Sequence, residues 1–341
     1  MKRRIGLVLL AVCILLSSAL TACRRQKKQY TSYAFDYFDT VSVITGYADS
    51  PKEFDAVAAD ILSQLEQYHK LYSIYESFEG INNLHTVNKD RSATVDKRII
   101  DMLKYAVQMY EKTGGVMNIA MGSVLSLWHQ YRTAGKEDPE QAMLPPADAL
   151  AAAAEHTDIT KLIIDEENST VTLLDPQMRL DVGAVAKGYA TEQIAKYLEG
   201  KGISGYLLNI GGNVRSIGAK PDGNPWVTAV ENPNAEDYFA AVRISGQSIV
   251  TSGSYQRYYT VAGKQYHHII DPATNMPAQG YLSVSVISSD SGLADALSTA
   301  LFCLSLEEGQ ALIEKFPCTE AFWVTNTGEM IPSSGWNNYV S

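Results

Sequence analysis

Apolar positions recur at helical spacing through Phe54, Val57, Ile61, Leu62 and Leu65, predicting a helix that Pro51 opens and that runs to about residue 71. Before it, residues 33–48 alternate apolar and polar around β-branched and aromatic side chains, the pattern of a strand or hairpin. Residues 73–93 are mostly polar and read as a connection. A second helix spans 96–112 and stops at Gly114-Gly115. A shorter helix at 124–131, a loop at 135–146, an alanine-rich helix at 147–155 and short strands at 161–165 and 170–174 follow. From Asp181 a loop leads into a helix over about 184–198, ended by Gly200 and Gly202. Residues 206–210 form a strand that runs into Gly211-Gly212. Further strands fall around 226–231, 239–244, 248–251, 256–261, 265–270 and 281–288. Ser291-Gly292 reads as a turn, and Leu293-Ala294-Asp295 opens an apolar helix through Leu304. A helix over 306–316 and a strand over 321–325 close the chain. Strand runs beside separate helices, without regular βαβ alternation, place the chain in the α+β class.

The N-terminus changes this picture. Lys2-Arg3-Arg4 precede an apolar run from Ile5 to Leu16, which is shorter than a membrane span. Small residues then lead to Cys23 in Leu20-Thr21-Ala22-Cys23, the pattern of a bacterial lipoprotein cleavage site. We expect residues 1–22 to be a signal peptide, Cys23 to carry the lipid, 23–32 to be a flexible tether standing the protein off the membrane, and 33–341 to be the folded part. The localisation that follows is a lipid-anchored position on the outer side of the cell membrane, in the periplasm or at the cell exterior. The formal charge is −10, or −13 once the three cations of the signal are lost. An acidic chain without a Lys/Arg stripe after Lys28 is a poor nucleic-acid binder, so a small-molecule or protein partner is expected. Cys303 and Cys318 remain. They could pair, but Cys303 sits in an apolar helical run and reads equally well as a buried thiol. No Cys/His spacing of a zinc site occurs.

Five blocks in the C-terminal half carry chemistry. Asn209-Ile210-Gly211-Gly212-Asn213 ends a strand on two glycines, either a turn or a close approach to phosphate. Asp181 precedes Gly183 and a helix with Lys187 in its first turns. It could cap that helix, orient Lys187 or bind a ligand hydroxyl. Asp295 and Thr299, spaced i,i+4 with Ser298 beside them, offer hard oxygens to Mg²⁺, or else a cap with hydroxyls bonded back to the helix. His267 and His268 alternate, so at most one of them points at a site; a histidine near neutral pKa is a natural base, though a lone histidine on a strand is more often structural. Ser252, Tyr255 and Arg257 are assigned to a neighbouring strand, where Arg257 could meet a phosphate or a structural carboxylate. No G-x-S-x-G elbow and no Walker A loop appear, which argues against a serine hydrolase and a P-loop nucleotidase.

The order Asp-x-Gly-Ala-x-Ala-Lys-Gly-Tyr from Asp181, Asn-x-Gly-Gly-Asn from Asn209, Thr-Ser-Gly-x-Tyr-x-Arg from Thr251, His-Ile-Ile-Asp-Pro from His268 and Asp-Ala-Leu-x-Thr-Ala from Asp295 resembles the ApbE family of FAD:protein FMN transferases. The resemblance runs from about Phe35 to Thr325. It implies an ApbE-like, T-fold-related fold of mixed helices and largely antiparallel sheets, a single large domain in which a two-lobed arrangement is left open. It implies a Mg²⁺-dependent reaction in which FAD is split, FMN passes to a Thr or Ser hydroxyl of a partner redox protein, and AMP leaves. Asp295, Ser298, Thr299 and the Ala184 carbonyl would hold the metal. Phe38, Tyr75, Met117, Asn118, Ile119, Asp181, Lys187, Gly211, Gly212, Ser252, Arg257 and Ile269 would frame FAD, with His268 as base and Asp271 beside it. The chain departs from the family at Met117-Asn118-Ile119-Ala120, where Phe-Asp-x-Thr is usual, and at Ala273, where an arginine is. A Mg²⁺-dependent FAD pyrophosphatase and a non-catalytic FAD-binding lipoprotein are the alternatives.

Overall fold

Alternation near the start of the folded chain builds a hairpin, β1 (Lys28–Tyr37) against β2 (Thr40–Ala48). The structure is a computed structural model describing residues 27–235 and 237–341. The signal segment and Cys23 lie outside the described residues. The expected tether does not extend to residue 32: β1 begins at Lys28, and Tyr30 packs its ring 5.6 Å from that of Phe54.

The main sheet has eight strands, β1, β2, β3 (Tyr206–Ile210), β4 (Asn213–Ile217), β5 (Ser248–Gly253), β6 (Tyr281–Ser288), β7 (Glu320–Thr325) and β8 (Met330–Pro332). They pair in chain order and every pair is antiparallel. The helices are α1 (Pro51–Tyr72), α2 (Leu84–Asp90), α3 (Lys97–Lys112), α4 (Gly122–Glu137), α5 (Ala147–Ala154), α6 (Ala186–Gly200), α7 (Ser291–Cys303) and α8 (Leu306–Ile313). Period-two alternation splits the sheet residues between two faces. Ile44, Leu208, Val250, Val284, Val286 and Trp323 enter the large core shared with α1, α6 and α7. Ile249, Ile287, Phe322 and Val324 face the opposite way, under the hairpin Trp226–Glu231/Tyr238–Ile244 and Trp336. A third cluster joins α4, α5 and Tyr259. One core with two satellites and a largely antiparallel sheet make this the α+β class expected.

α1 forms because Ser50 caps it, its Oγ accepting from Glu53 N at 3.2 Å, with Pro51 in the first turn. It buries Phe54, Ile61, Leu65 and Leu71, each such side chain contributing about 1.5–3 kcal/mol. Several elements differ from expectation. α2 lies inside the stretch read as a connection, held by a capping box between Asn83 and Thr86. α4 extends to Glu137, because Gly135 admits the ring of Tyr259 where a Cβ would come within 2.7 Å. β4 has no counterpart in the sequence reading, and strands read at 256–261 and 265–270 shorten to Tyr258–Val261 and Lys264–His267. α7 starts at Ser291 rather than 293, with Asp290 capping it through Leu293 N at 3.0 Å. Cys303 and Cys318 are both free thiols, and burial pushes the Cys303 thiol up to about 12.

Candidate active site

α6 and α7 cross so closely that only glycine fits at 188. A Cβ there would lie 2.3 Å from the Asp295 Cβ and 2.4 Å from the Ser291 carbonyl oxygen. The contact has a chemical result. Gly188 N donates to Asp295 Oδ2 at 2.8 Å instead of to a carbonyl one turn back. The next amide, Tyr189 N, reaches Val185 O, and no hydrogen bond from the described residues reaches the Ala184 carbonyl. Lys187 Nζ stands 3.9 Å from the same Asp295 Oδ2, while Asp295 Oδ1 accepts from no described residue. Asp295 is 4% exposed, and burial raises its carboxyl, opposed by Lys187 and Gly188 N. Ser298 Oγ and Thr299 Oγ1 bond back to Asp295 O at 2.9 and 3.3 Å, and Ser252 Oγ on β5 joins them at 2.8 and 3.4 Å.

A free carboxylate oxygen, a free carbonyl and neighbouring hydroxyls suit a hard cation that completes its shell with water or phosphate oxygens. Among the described residues no cluster of three or more His, Cys, Asp or Glu could hold a metal. Asp295 is not the helix cap; Asp290 is.

Asp181 stands in the loop that leads into α6. Its N–H donates to Ile119 O at 2.8 Å, and its Oδ1 accepts from Gly183 N at 2.9 Å, which leaves Oδ2 free of described partners. It does not cap α6, whose N-cap Val185 has no side-chain bond. Burial raises the Asp181 carboxyl, opposed by Gly183 N, His129, Arg132 and Arg257. Asn118 has both ends engaged, donating to Thr157 O at 3.0 Å and accepting from Ala120 N at 2.8 Å. Met117 and Ile119 are core side chains at 2% and 1% exposure, as is Ile269 at 6%. These segments can therefore offer a ligand their backbone, not their side chains.

Two hairpin tips meet at the same end of the sheet. Phe38 and Asp39, with φ of 55° and 51°, turn β1 into β2, and Gly211-Gly212, with φ of 56° and 90°, turn β3 into β4. A Cβ on Gly211 would strike Thr40 Oγ1 at 2.3 Å. Gly211 N already bonds Val41 O at 3.1 Å and Gly212 N bonds Asn209 Oδ1 at 3.0 Å. The amides of the glycine pair are thus engaged, and the pair forms a turn that seats the neighbouring tip. Arg257 lies in the turn after β5, not in a strand, and donates to Phe38 O and Asp39 O at 3.5 and 3.2 Å.

His267 and His268 do point apart. His267 is structural, its Nδ1 accepting from Ile269 N at 3.3 Å, so its Nε2–H donates to Ala278 O at 2.9 Å. His268 Nδ1 is buried without a partner among the described residues. Burial, then Arg257, Arg132, His267 and Lys187, hold its pKa down at about 3. The near-neutral base expected from sequence is instead a strictly neutral imidazole in a cationic setting. Asp271 is occupied locally, accepting from Ala273 N at 2.9 Å and Thr274 Oγ1 at 3.0 Å. It borders a groove of about 680 Å³ that Met276, Tyr281 and Cys303 also line, on the flank of the cluster rather than at Asp295.

Two residues escaped the sequence reading. His129 and Arg132 of α4 join in a 3.1 Å contact and face Tyr75, which is 55% exposed and stacks on His129 at 5.1 Å. Arg132 and Arg257 form no salt bridge with any described carboxylate, and burial lowers the Arg132 pKa. An i,i+3 His/Arg pair on a helix looks like a solvated face in sequence; only the fold aims it inward. Arg257, Arg132 and Lys187 all act on His268, and Arg132, Arg257 and His129 act on Asp181, so these charged groups share one neighbourhood.

Residues 36–323 match the ApbE family model. The chain belongs to the ApbE family. A relative from Klebsiella pneumoniae named FAD:protein FMN transferase is 31% identical over 317 residues, covering 90% of this chain and 88% of its own. One of the same name from Treponema pallidum is 29% identical over 97% of this chain and 93% of its own. Among solved structures, the ApbE protein of Thermotoga maritima superposes with a TM-score of 0.81 at 26% identity, over 92% of this chain and 100% of that one. The flavin transferase ApbE of Vibrio cholerae gives 0.76 at 24% identity over 92% and 99%, a likeness of fold. In this ApbE chain Asp295 and Thr299 lie on one helix, and Ala273 lies in the turn that Asp271 closes.

Proposed function

We propose that this chain is a Mg²⁺-dependent FAD:protein FMN transferase that moves FMN from FAD to a Ser or Thr hydroxyl of a partner redox protein and releases AMP. The observation that carries the reading is the α6–α7 crossing. Asp295 takes the Gly188 amide, freeing the Ala184 carbonyl, while its own second oxygen has no partner among the described residues and Lys187 stands 3.9 Å from the first. Membership of a family whose relatives bear that name supports it.

Ala184 O, Asp295, Ser298 and Thr299 would hold Mg²⁺, which neutralises the diphosphate and the leaving phosphate. Lys187, Arg132 and Arg257 bind the phosphate oxygens. Asp181 Oδ2 accepts from a ligand hydroxyl, and the Tyr75–His129 stack gives an aromatic ring of the substrate a platform. His268 Nδ1 takes the proton of the acceptor hydroxyl. Burial is the first cause of its low basicity and the cations the second, and the charge of a bound diphosphate opposes the second, so its basicity rises when substrate is present. Cys23, acylated after removal of residues 1–22, holds the enzyme to the outer side of the membrane beside its acceptors.

The test follows AMP release and flavin that remains on an acceptor domain through denaturing electrophoresis. Labelled acceptor matched by AMP is expected. AMP with free FMN and no labelled acceptor would make the chain a pyrophosphatase, and intact bound FAD in the presence of Mg²⁺ would make it a flavin-binding protein.

His268→Asn is expected to lower kcat about 10²–10⁴-fold with FAD affinity largely kept. It should also change the response of the metal-free protein to acid. The folded pKa of about 3 lies below the unfolded value near 6.5, so the unfolded state binds the extra proton between them and stability falls as pH drops through that window. The variant should lose less stability than the parent between pH 7 and 4.5, by about 2–3 kcal/mol. Equal losses by both in thermal melts would refute the buried neutral histidine.

A further inference from the structure

The outer face of the β1–β2 hairpin carries no charge. Register sets Thr31 opposite Thr45 and Tyr33 opposite Val43, and alternation continues that face through Phe35 and Val41 toward the tip. Tyr33 is 63% exposed, Phe35 68% and Val41 46%. The neighbouring hairpin covers this side of the sheet only as far as Tyr47, whose ring lies 5.6 Å from Trp226. β1 is moreover the sheet edge. Bare aromatics on an edge strand mark a surface with a partner.

The chain beyond the strand identifies that partner. Residues 24–27 alone separate Cys23 from Lys28, the first residue of β1. Five peptide steps span at most about 18 Å. Arg24, Arg25, Lys27 and Lys28 fall in this stretch with no acid among them, although the chain as a whole is acidic at −10. A short basic lead from a lipid-bearing cysteine brings the edge strand to an anionic headgroup layer, and exposed aromatics are the side chains suited to that layer.

We propose that the uncharged outer face of the β1–β2 hairpin, with Tyr33 and Phe35 as its contacts, rests on a bilayer surface containing anionic lipid. The proposal stands on the acylation of Cys23 set out above, and replaces the reading of residues 23–32 as a spacer that holds the protein away. It has a consequence for the reaction. The tip of this hairpin is bonded through Phe38 O and Asp39 O to Arg257 at the rim of the site. The strand that lies on lipid therefore also positions the site, which opens to acceptor hydroxyls presented close to the membrane.

The experiment uses a soluble form beginning at Arg24, which contains every described residue, and vesicles of phosphatidylcholine with one quarter phosphatidylglycerol. It is expected to sediment with these vesicles and to be released by salt. Tyr33→Ser/Phe35→Ser should lower the partition coefficient at least about tenfold while FMN transfer to a soluble acceptor domain stays unchanged. Absence of vesicle binding by the parent, or unchanged binding by the double variant, would overturn the proposal. So would unchanged binding with lost transfer, which would make the patch an acceptor surface. The mass of the full chain extracted from membranes tests acylation separately: an unmodified Cys23 would sink the anchor reading whatever the vesicles show.

Discussion

Asp295→Asn is expected to abolish FMN transfer and at the same time to raise the melting temperature of the metal-free protein. Both follow from one environment. Asp295 is 4% exposed, burial raises its carboxyl pKa, and the only opposing groups are Lys187 and the Gly188 amide. A carboxyl whose folded pKa exceeds its unfolded value is harder to ionise in the fold, so stability falls as pH rises through the folded value and the deficit persists at pH 7. An amide of the same shape keeps an oxygen for Gly188 N and removes the desolvated charge. We expect about 1 kcal/mol of stabilisation, a few degrees in a domain of this size. The anionic oxygen that would face Mg²⁺ is lost, so transfer should fall at least about a hundredfold. Thermal melts with and without Mg²⁺ separate the two effects. The parent should gain stability from the ion and the variant should not. An Asp295→Asn variant that transfers FMN at the parent rate, or that still gains stability from Mg²⁺ as the parent does, would remove Asp295 from the metal site.

That trade of stability for function explains why part of the site was readable in sequence and part was not. A carboxylate with hydroxyls at i,i+3 and i,i+4 inside an apolar run conflicts with simple core packing, so Asp295, Ser298 and Thr299 stand out. The role of Gly188 does not, because a glycine inside a helix signals only weakness until a second helix is seen to lie 2.3 Å from its missing Cβ. The free Ala184 carbonyl is likewise a product of the crossing. His129 and Arg132 look solvated until α4 is folded against Tyr75. The fold was legible where period and punctuation agreed, as in α1 and β3. It was not legible at β4, where Asn213, Arg215 and Ser216 are polar yet nearly fully buried. Their partners come from distant elements, Glu192 and Gln247, and no local pattern announces them. α2 was hidden for a related reason: its stability comes from the Asn83–Thr86 box and from Asn88, which bridges to Leu180 O at 2.9 Å and accepts from Leu180 N at 2.7 Å.

The buried pair behind β4 gives the largest expected stability effect. Arg215 is 3% exposed and Glu192 2%. Arg215 Nε donates to Glu192 Oε2 at 3.0 Å, its Nη2 reaches Glu192 Oε1 at 3.4 Å and Glu199 Oε1 at 3.1 Å, and its Nη1 donates to Ser216 O. Glu192 Oε2 also accepts from Ser291 N at 2.9 Å. One carboxylate therefore ties strand β4 to α6 and to the first amide of α7. Arg215→Met removes the cation and leaves Glu192 buried with only Lys196, 3.6 Å away and half exposed, to offset it. The expected loss is about 3–5 kcal/mol, a large share of a domain's usual 5–15. Glu192→Gln should cost less, because Arg215 keeps Glu199, a carboxylate 40% exposed to water, and the amide oxygen can still receive Ser291 N. Adding Glu192→Gln to Arg215→Met should recover about 1–3 kcal/mol, since the uncompensated charge is then gone. Urea denaturation of the parent, the two single variants and the double measures this coupling directly. The same variants should weaken Mg²⁺ binding, because α6 carries Lys187 and Gly188, α7 carries Asp295, and Glu192 is what holds the start of one helix against the other. A cost below about 1 kcal/mol for Arg215→Met, or no recovery in the double variant, would mean that packing at Gly188 alone sets the crossing that makes the site.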